Sequence, residues 1–146
     1  MDPAETRPLP DTGVHVTQLG FGGAPLRELF TKVSDHEAHE TLSTARDCGI
    51  GYFDTAPFYG MGLSEHRVGR FLRSIPREDF VLSTKVGRIL RRPFDSVRAR
   101  PSPFIGGLSF DYYFDYGYGG IMRAFEDSIQ RLALPHIDLL IIHDLD

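Results

Sequence analysis

The chain has 146 residues, 41% of them hydrophobic and 25% charged, and a formal net charge of -4. That balance suits one ordinary globular domain and excludes a globally disordered or collagen-like chain. Mild acidity argues against a nucleic-acid binder, which would carry a basic face, and a single cysteine, Cys48, excludes a disulfide-stapled scaffold.

Residues 1–13 hold Pro3, Pro8, Pro10 and Gly13 among charges and read as a flexible arm. They lack the apolar core of a signal peptide, and no apolar run in the chain approaches the roughly 20 residues that span a bilayer. The expectation is a soluble cytoplasmic protein with neither membrane nor nucleic-acid partners. Residues 14–21 alternate apolar and polar and predict a strand, ended by Gly22, Gly23 and Pro25. Ser34 and Glu37 fit a capping box, and Ala38, Leu42 and Ala45 follow at helical spacing, so residues 34–48 predict a helix that stops at Gly49. A short apolar run, residues 50–53, turns polar at Asp54. Ser64 is placed to cap a second helix with Val68, Phe71, Leu72 and Ile75 on one face. Residues 80–86 predict a strand with Lys85 near its end. Ile121, Phe125, Ile129 and Leu132 stripe a third helix, and residues 137–142 form an almost wholly apolar strand closed by His143, as expected of a strand buried on both faces.

Strands alternating with helices, at one unit per roughly 30 residues, indicate parallel strands with helical crossovers. The last interval is lengthened by residues 87–118, which carry Phe94, Phe104, Phe110, Tyr112, Tyr113, Phe114, Tyr116 and Tyr118. Loops of this length are uncommon unless functional or disordered. This one reads either as a cover over the strand ends, offering Tyr112, Tyr113 and Phe114 to a substrate ring, or as an excursion packed by its own aromatics.

Asp54, Lys85 and His143 each stand where an apolar strand runs out, and Tyr59 follows Asp54 by five residues. In a parallel α/β sheet the C-terminal strand ends share one face, and that face carries the site. Singly, each residue also reads as a turn, a solvated strand end, a half-buried aromatic or a core histidine. At equivalent ends of successive strands, the four read as a set. A lysine ammonium beside a phenol favours the ionised phenol. A carboxylate would keep that lysine charged and oriented, and Tyr59 would become a general acid or base. The hydride of the matching redox reaction must come from a cofactor, because no side chain supplies one. His36 and His39, at i and i+3 with Glu40 beside them, read as a solvated helix face because zinc wants three or four convergent ligands, so no metal site is expected. Cys48 reads as a packing residue.

Gly49-Ile-Gly-Tyr-Phe-Asp54-Thr-Ala-Pro-Phe-Tyr59-Gly60, then Ser64-Glu-His-Arg-Val-Gly69, resembles the signature of the aldo-keto reductase superfamily. Ser83-Thr-Lys85-Val86 is similar to its lysine strand, residues 137–143 to its histidine strand, and Leu19-Gly-Phe-Gly-Gly23 to its opening strand. The resemblance implies a (β/α)8 barrel, of which residues 14–146 would be the N-terminal half of about four βα units. It implies an oxidoreductase dependent on NAD or NADP, with a catalytic tetrad of Asp54, Tyr59, Lys85 and His143. Gly22, Gly23 and Asp54 would border the cofactor, whose remaining contacts are expected in a C-terminal half. Within the family the sequence resembles the aldose and pyridoxal dehydrogenases, which implies oxidation of a small sugar, aldehyde or pyridoxal-like hemiacetal. A typical barrel takes about 250 residues, so the chain reads as a fragment, inactive alone. The alternative is a non-catalytic binding subunit or a half-barrel dimer paired through its sheet edges.

Overall fold

The computed structural model describes residues 2–28, 30–93 and 104–145. The segment expected as a flexible arm is instead one side of an antiparallel hairpin, β1 (Thr6–Pro8) against β2 (His15–Thr17). Its turn is held by the Leu9 amide donating to the Val14 carbonyl at 2.8 Å. The single strand expected over residues 14–21 is split at Gln18–Leu19, and its second part becomes β3 (Gly20–Gly22). The split has a local cause: the Thr17 hydroxyl donates to the Leu19 carbonyl at 2.7 Å and accepts the Gly51 and Tyr52 amides at 3.1 Å. The hairpin is thereby pinned to the N-terminal end of the sheet.

Helix α1 (Asp35–Asp47) starts on the expected capping box: Ser34 Oγ accepts the Glu37 amide and the Glu37 carboxylate accepts the Ser34 amide at 2.7 Å. The Ser34 amide and the Ser34 hydroxyl, both donating to the Glu37 carboxylate, hold that carboxyl below its ordinary range. Cys48 is the exposed C-cap of this helix, not a packing residue, because the last turn rotates it to solvent. After β4 (Tyr52–Asp54), α2 (Leu63–Leu72) begins on Gly62. Ser64 lies inside the helix, fully buried, donating to the Gly23 carbonyl at 2.9 Å and meeting Thr55 Oγ1 at 2.9 Å. It joins two strand ends instead of capping the helix.

β5 (Val81–Val86) follows. The stretch expected as one long loop then forms an antiparallel ribbon, β6 (Arg88–Arg91) against β7 (Asp111–Phe114). Phe94 and the rest of residues 94–103 lie outside the described residues. α3 (Tyr118–Leu132) and β8 (Leu139–Ile142) complete the chain.

β3, β4, β5 and β8 form one parallel sheet in that order. Phe53 and Leu82 point to the helices and build the core with Leu42, Val68, Phe71, Leu72 and Leu132. This is an α/β architecture, part of a (β/α)8 barrel. β8 departs from the reading of a strand buried on both faces. Among the described residues it is the last strand of the sheet, paired with β5, and there Leu140, Ile141 and Ile142 are 43%, 39% and 51% exposed.

Two buried ion pairs lock the helices. Glu65, fully buried on α2, accepts from Thr84 Oγ1 on β5 at 2.7 Å and from Arg131 Nε on α3 at 2.5 Å. Arg67 donates to Glu28 at 2.7 Å and to the Leu26 and Val33 carbonyls, which shapes the turn after β3. α2 and α3 touch at Gly69, where a Cβ would lie 2.2 Å from the Leu132 carbonyl oxygen.

Candidate active site

The C-terminal ends of the four parallel strands gather Asp54, Lys85 and His143. Asp54 pairs in register with Ser83, and Lys85 lies two residues further along β5. Lys85 pairs with Ile141, and His143 again lies two residues further on. Side chains alternate across a strand with period two, so this stagger keeps all three on the face away from the helices. The contacts agree. Tyr52, Asp54, Ser83 and Lys85 meet on one face, while Thr84 reaches Glu65 on the other.

Lys85 Nζ donates to Asp54 Oδ2 at 2.5 Å and to the Thr55 carbonyl at 3.1 Å, and Ser83 Oγ donates to Asp54 Oδ1 at 2.6 Å. The carboxylate thus has a partner on each oxygen, and the ammonium is fixed in position. The turn after β4 brings Tyr59 back over this pair, held by its amide to the Ala56 carbonyl and by the Ser64 amide to its own carbonyl. Lys85 Nζ is 5.0 Å from the centre of the Tyr59 ring. The His143 ring stands edge-on to Tyr59 at 5.8 Å and to Phe58 at 6.1 Å.

His143 is 8% exposed, and its buried Nδ1 has no hydrogen-bond partner among the described residues. Burial holds its pKa below the ordinary imidazole range. Asp144 opposes that shift, and Arg88 and Lys85 reinforce it. The strand tail is gripped from the ribbon: the Tyr116 hydroxyl reaches the His143 carbonyl at 2.7 Å and the Asp144 carbonyl at 2.9 Å, and Arg88 pairs with the Asp144 carboxylate. Asp144 is left-handed at φ 49°.

The other sequence candidates divide. Tyr112 faces the site, edge-on to Phe58 at 4.9 Å, and Phe114 shares that side of the ribbon. Tyr113, one residue out of phase, packs against the cluster of Val86, Ile89 and Ala124 beneath α3. A Cβ on Gly22 would meet nothing within 4 Å, whereas one on Gly23 would meet Ser64 Oγ at 2.7 Å and the Asp54 carbonyl oxygen at 2.9 Å. Gly22 borders open space, and Gly23 allows close packing. His39 lies edge-on to Phe71 at 5.6 Å, and among the described residues no group of three His, Cys, Asp or Glu could hold a metal.

Two cations at the site escaped the sequence reading. Arg27, in the 3-10 turn Ala24–Arg27 after β3, lies 5.5 Å from the Tyr59 ring centre. Arg88 lies 4.1 Å from the Phe58 ring centre, 5.3 Å from Tyr112 and 4.9 Å from Phe114. Arg88 had a signal, since it follows Lys85 by three residues just past a strand end. Arg27 had none, because a single turn shows no periodicity.

Residues 18–146 match the model of the Aldo/keto reductase family. The chain belongs to that family. Pyridoxal 4-dehydrogenase from Microbacterium luteolum is 45% identical over 150 residues, covering 97% of this chain and 44% of the relative. D-threo-aldose 1-dehydrogenase from a Pseudomonas species is 44% identical over 142 residues, covering 90% of this chain and 41% of the relative. The holo form of the aldo-keto reductase AKR11C1 from Bacillus halodurans superposes with a TM-score of 0.75 at 29% identity, covering 96% of this chain and 40% of that one. The chain therefore spans less than half the length of the relatives it matches. Among the described residues no helix is long and apolar enough to cross a membrane.

Proposed function

We propose that the protein is a nicotinamide-dependent oxidoreductase that acts on a hemiacetal or carbonyl carbon of a small aldose or pyridoxal-like substrate, with Tyr59 as general acid and base. The observation that carries this reading is the Asp54–Lys85 pair at 2.5 Å beneath the Tyr59 ring, with the His143 ring edge-on to it.

In oxidation Tyr59, as its phenolate, takes the proton of the substrate hydroxyl and becomes the phenol, and in reduction the phenol gives that proton to the carbonyl oxygen and becomes the phenolate. Lys85 favours the negative charge that develops on the phenol oxygen, at little reorganisation cost because Asp54 and the Thr55 carbonyl already hold it. His143, kept neutral by burial, hydrogen-bonds the substrate oxygen and turns the reacting carbon. NAD or NADP, when bound, supplies or accepts the hydride. The residues suit such a group: Gly22 leaves open space at the mouth of the sheet, beside Asp54. Gly23 contributes by letting the β3 end sit tightly against α2.

The test is Tyr59→Phe in the protein expressed from its complete open reading frame, followed by nicotinamide absorbance with aldoses and pyridoxal and with both NAD and NADP. The expected loss in kcat is about 100- to 10,000-fold, the usual contribution of a positioned acid or base. A Tyr59→Phe variant within a few-fold of wild type would remove Tyr59 from the chemistry.

A further inference from the structure

Three cations stand at the mouth of the sheet, and two are neutralised. Lys85 is paired with Asp54 and Arg88 with Asp144. Arg27 is different: among the described residues it has no ion pair and no hydrogen bond from its guanidinium, only the faces of Tyr59 at 5.5 Å and Phe104 at 5.9 Å. The acid next to it in sequence, Glu28, is 6% exposed and committed to Arg67.

Its backbone is held firmly. The turn carrying it is anchored by Arg67 at the Leu26 carbonyl, and Gly60 passes so close that a Cβ there would lie 3.3 Å from the Arg27 Cα. Arg27 also lines a cavity of about 400 Å³ with Ala24, Pro25, Phe30, Thr31 and Val33, side chains that carry no compensating negative charge.

A guanidinium whose five donors meet no acceptor among the described residues, set against two aromatic faces beside the reactive phenol, is organised to receive a ligand oxygen pair. We propose that Arg27 reads a carboxylate on the substrate, so that the preferred substrates are aldoses or aldehydes carrying an acid group, of the uronate type. The fork geometry of arginine matches a carboxylate through two parallel N–H···O bonds. Such a pair gains most where aromatic walls limit solvent, as Tyr59 and Phe104 do here. This proposal rests on the reading of Tyr59 as the reacting group, because it takes its meaning from the distance between them.

The experiment compares kcat/KM for an aldose and the uronate of the same sugar, in wild type, Arg27→Ala and Arg27→Lys, with melting curves to establish that each variant folds. The selectivity ratio of uronate to aldose is expected to fall about 10- to 100-fold in Arg27→Ala, the usual worth of a hydrogen bond to a charged group, and to be partly retained in Arg27→Lys. An unchanged ratio overturns the proposal, whether both rates fall together or neither falls. Calorimetric titration with the uronate, without turnover, separates this from the catalytic reading. If wild type oxidises neither sugar yet binds the uronate and loses that binding in Arg27→Ala, the Tyr59 reading fails and the Arg27 site stands. If wild type does not bind it, the Arg27 site fails.

Discussion

Replacing Glu65 by Leu tests whether one buried carboxylate couples the helices to the strand that carries Lys85. Glu65 is fully buried and accepts from Thr84 Oγ1 and Arg131 Nε, so the substitution strands a hydroxyl and a guanidinium at once. Removing one partner of a buried ion pair costs about 3–5 kcal/mol. The Arg131 side chain is 14% exposed and already meets Ser128 Oγ at 3.1 Å, which gives part of its charge another outlet and places the expectation near about 3 kcal/mol. Against a domain stability of about 5–15 kcal/mol, that is a large fraction. The assay is urea unfolding of wild type, Glu65→Leu, Arg131→Met and the double variant. Replacing the pair by apolar residues of similar volume is often near neutral, so the double variant should recover most of the loss. A Glu65→Leu cost below about 1 kcal/mol, or a double variant as unstable as the sum of the singles, would refute the coupling.

Two helix glycines should answer alanine in opposite senses. Gly69→Ala drives a Cβ into the Leu132 backbone and should destabilise by about 1–3 kcal/mol, whereas Gly119 has nothing within 4 Å of its Cβ, and Gly119→Ala should stabilise by up to about 1 kcal/mol, both read from denaturation midpoints. His143, with its pKa held below 6.5 by burial, contributes stability that is present above the unfolded value and lost as pH falls through the folded one, because the unfolded chain takes the proton first. Stability measured from pH 7 downward should therefore decline below about 6.5, more steeply in wild type than in His143→Gln.

The strands and helices that build the core were legible because their patterns are local. Ser34 and Glu37 announce their own helix, and the apolar runs ending at Asp54, Lys85 and His143 mark the strand ends. The fold brings Asp54, Lys85, His143 and the Tyr59 ring to one end of the sheet. What escaped depends on pairing at a distance. Thr17 splits a strand by bonding residues 34 and 35 positions away, and Ser64 looks like a cap until Gly23 is beside it. The ribbon of β6 and β7 hid because the aromatics of β7 serve two faces: Tyr112 and Phe114 look to the site and Tyr113 to α3. Arg27 and Glu65 carry no periodic signal, and their meaning comes from which neighbours are, or are not, already neutralised.

The two-residue steps from Asp54 to Lys85 to His143 make this site sensitive to reading frame within the strands. A slip of one position in β5 would swing Lys85 and Ser83 to the helix side and bring Thr84 inward, stripping both partners from the Asp54 carboxylate in a single event. Length changes are therefore tolerable in the connections but, within β5, only in pairs. Any rebuilding of the sheet has to conserve parity before it conserves residues.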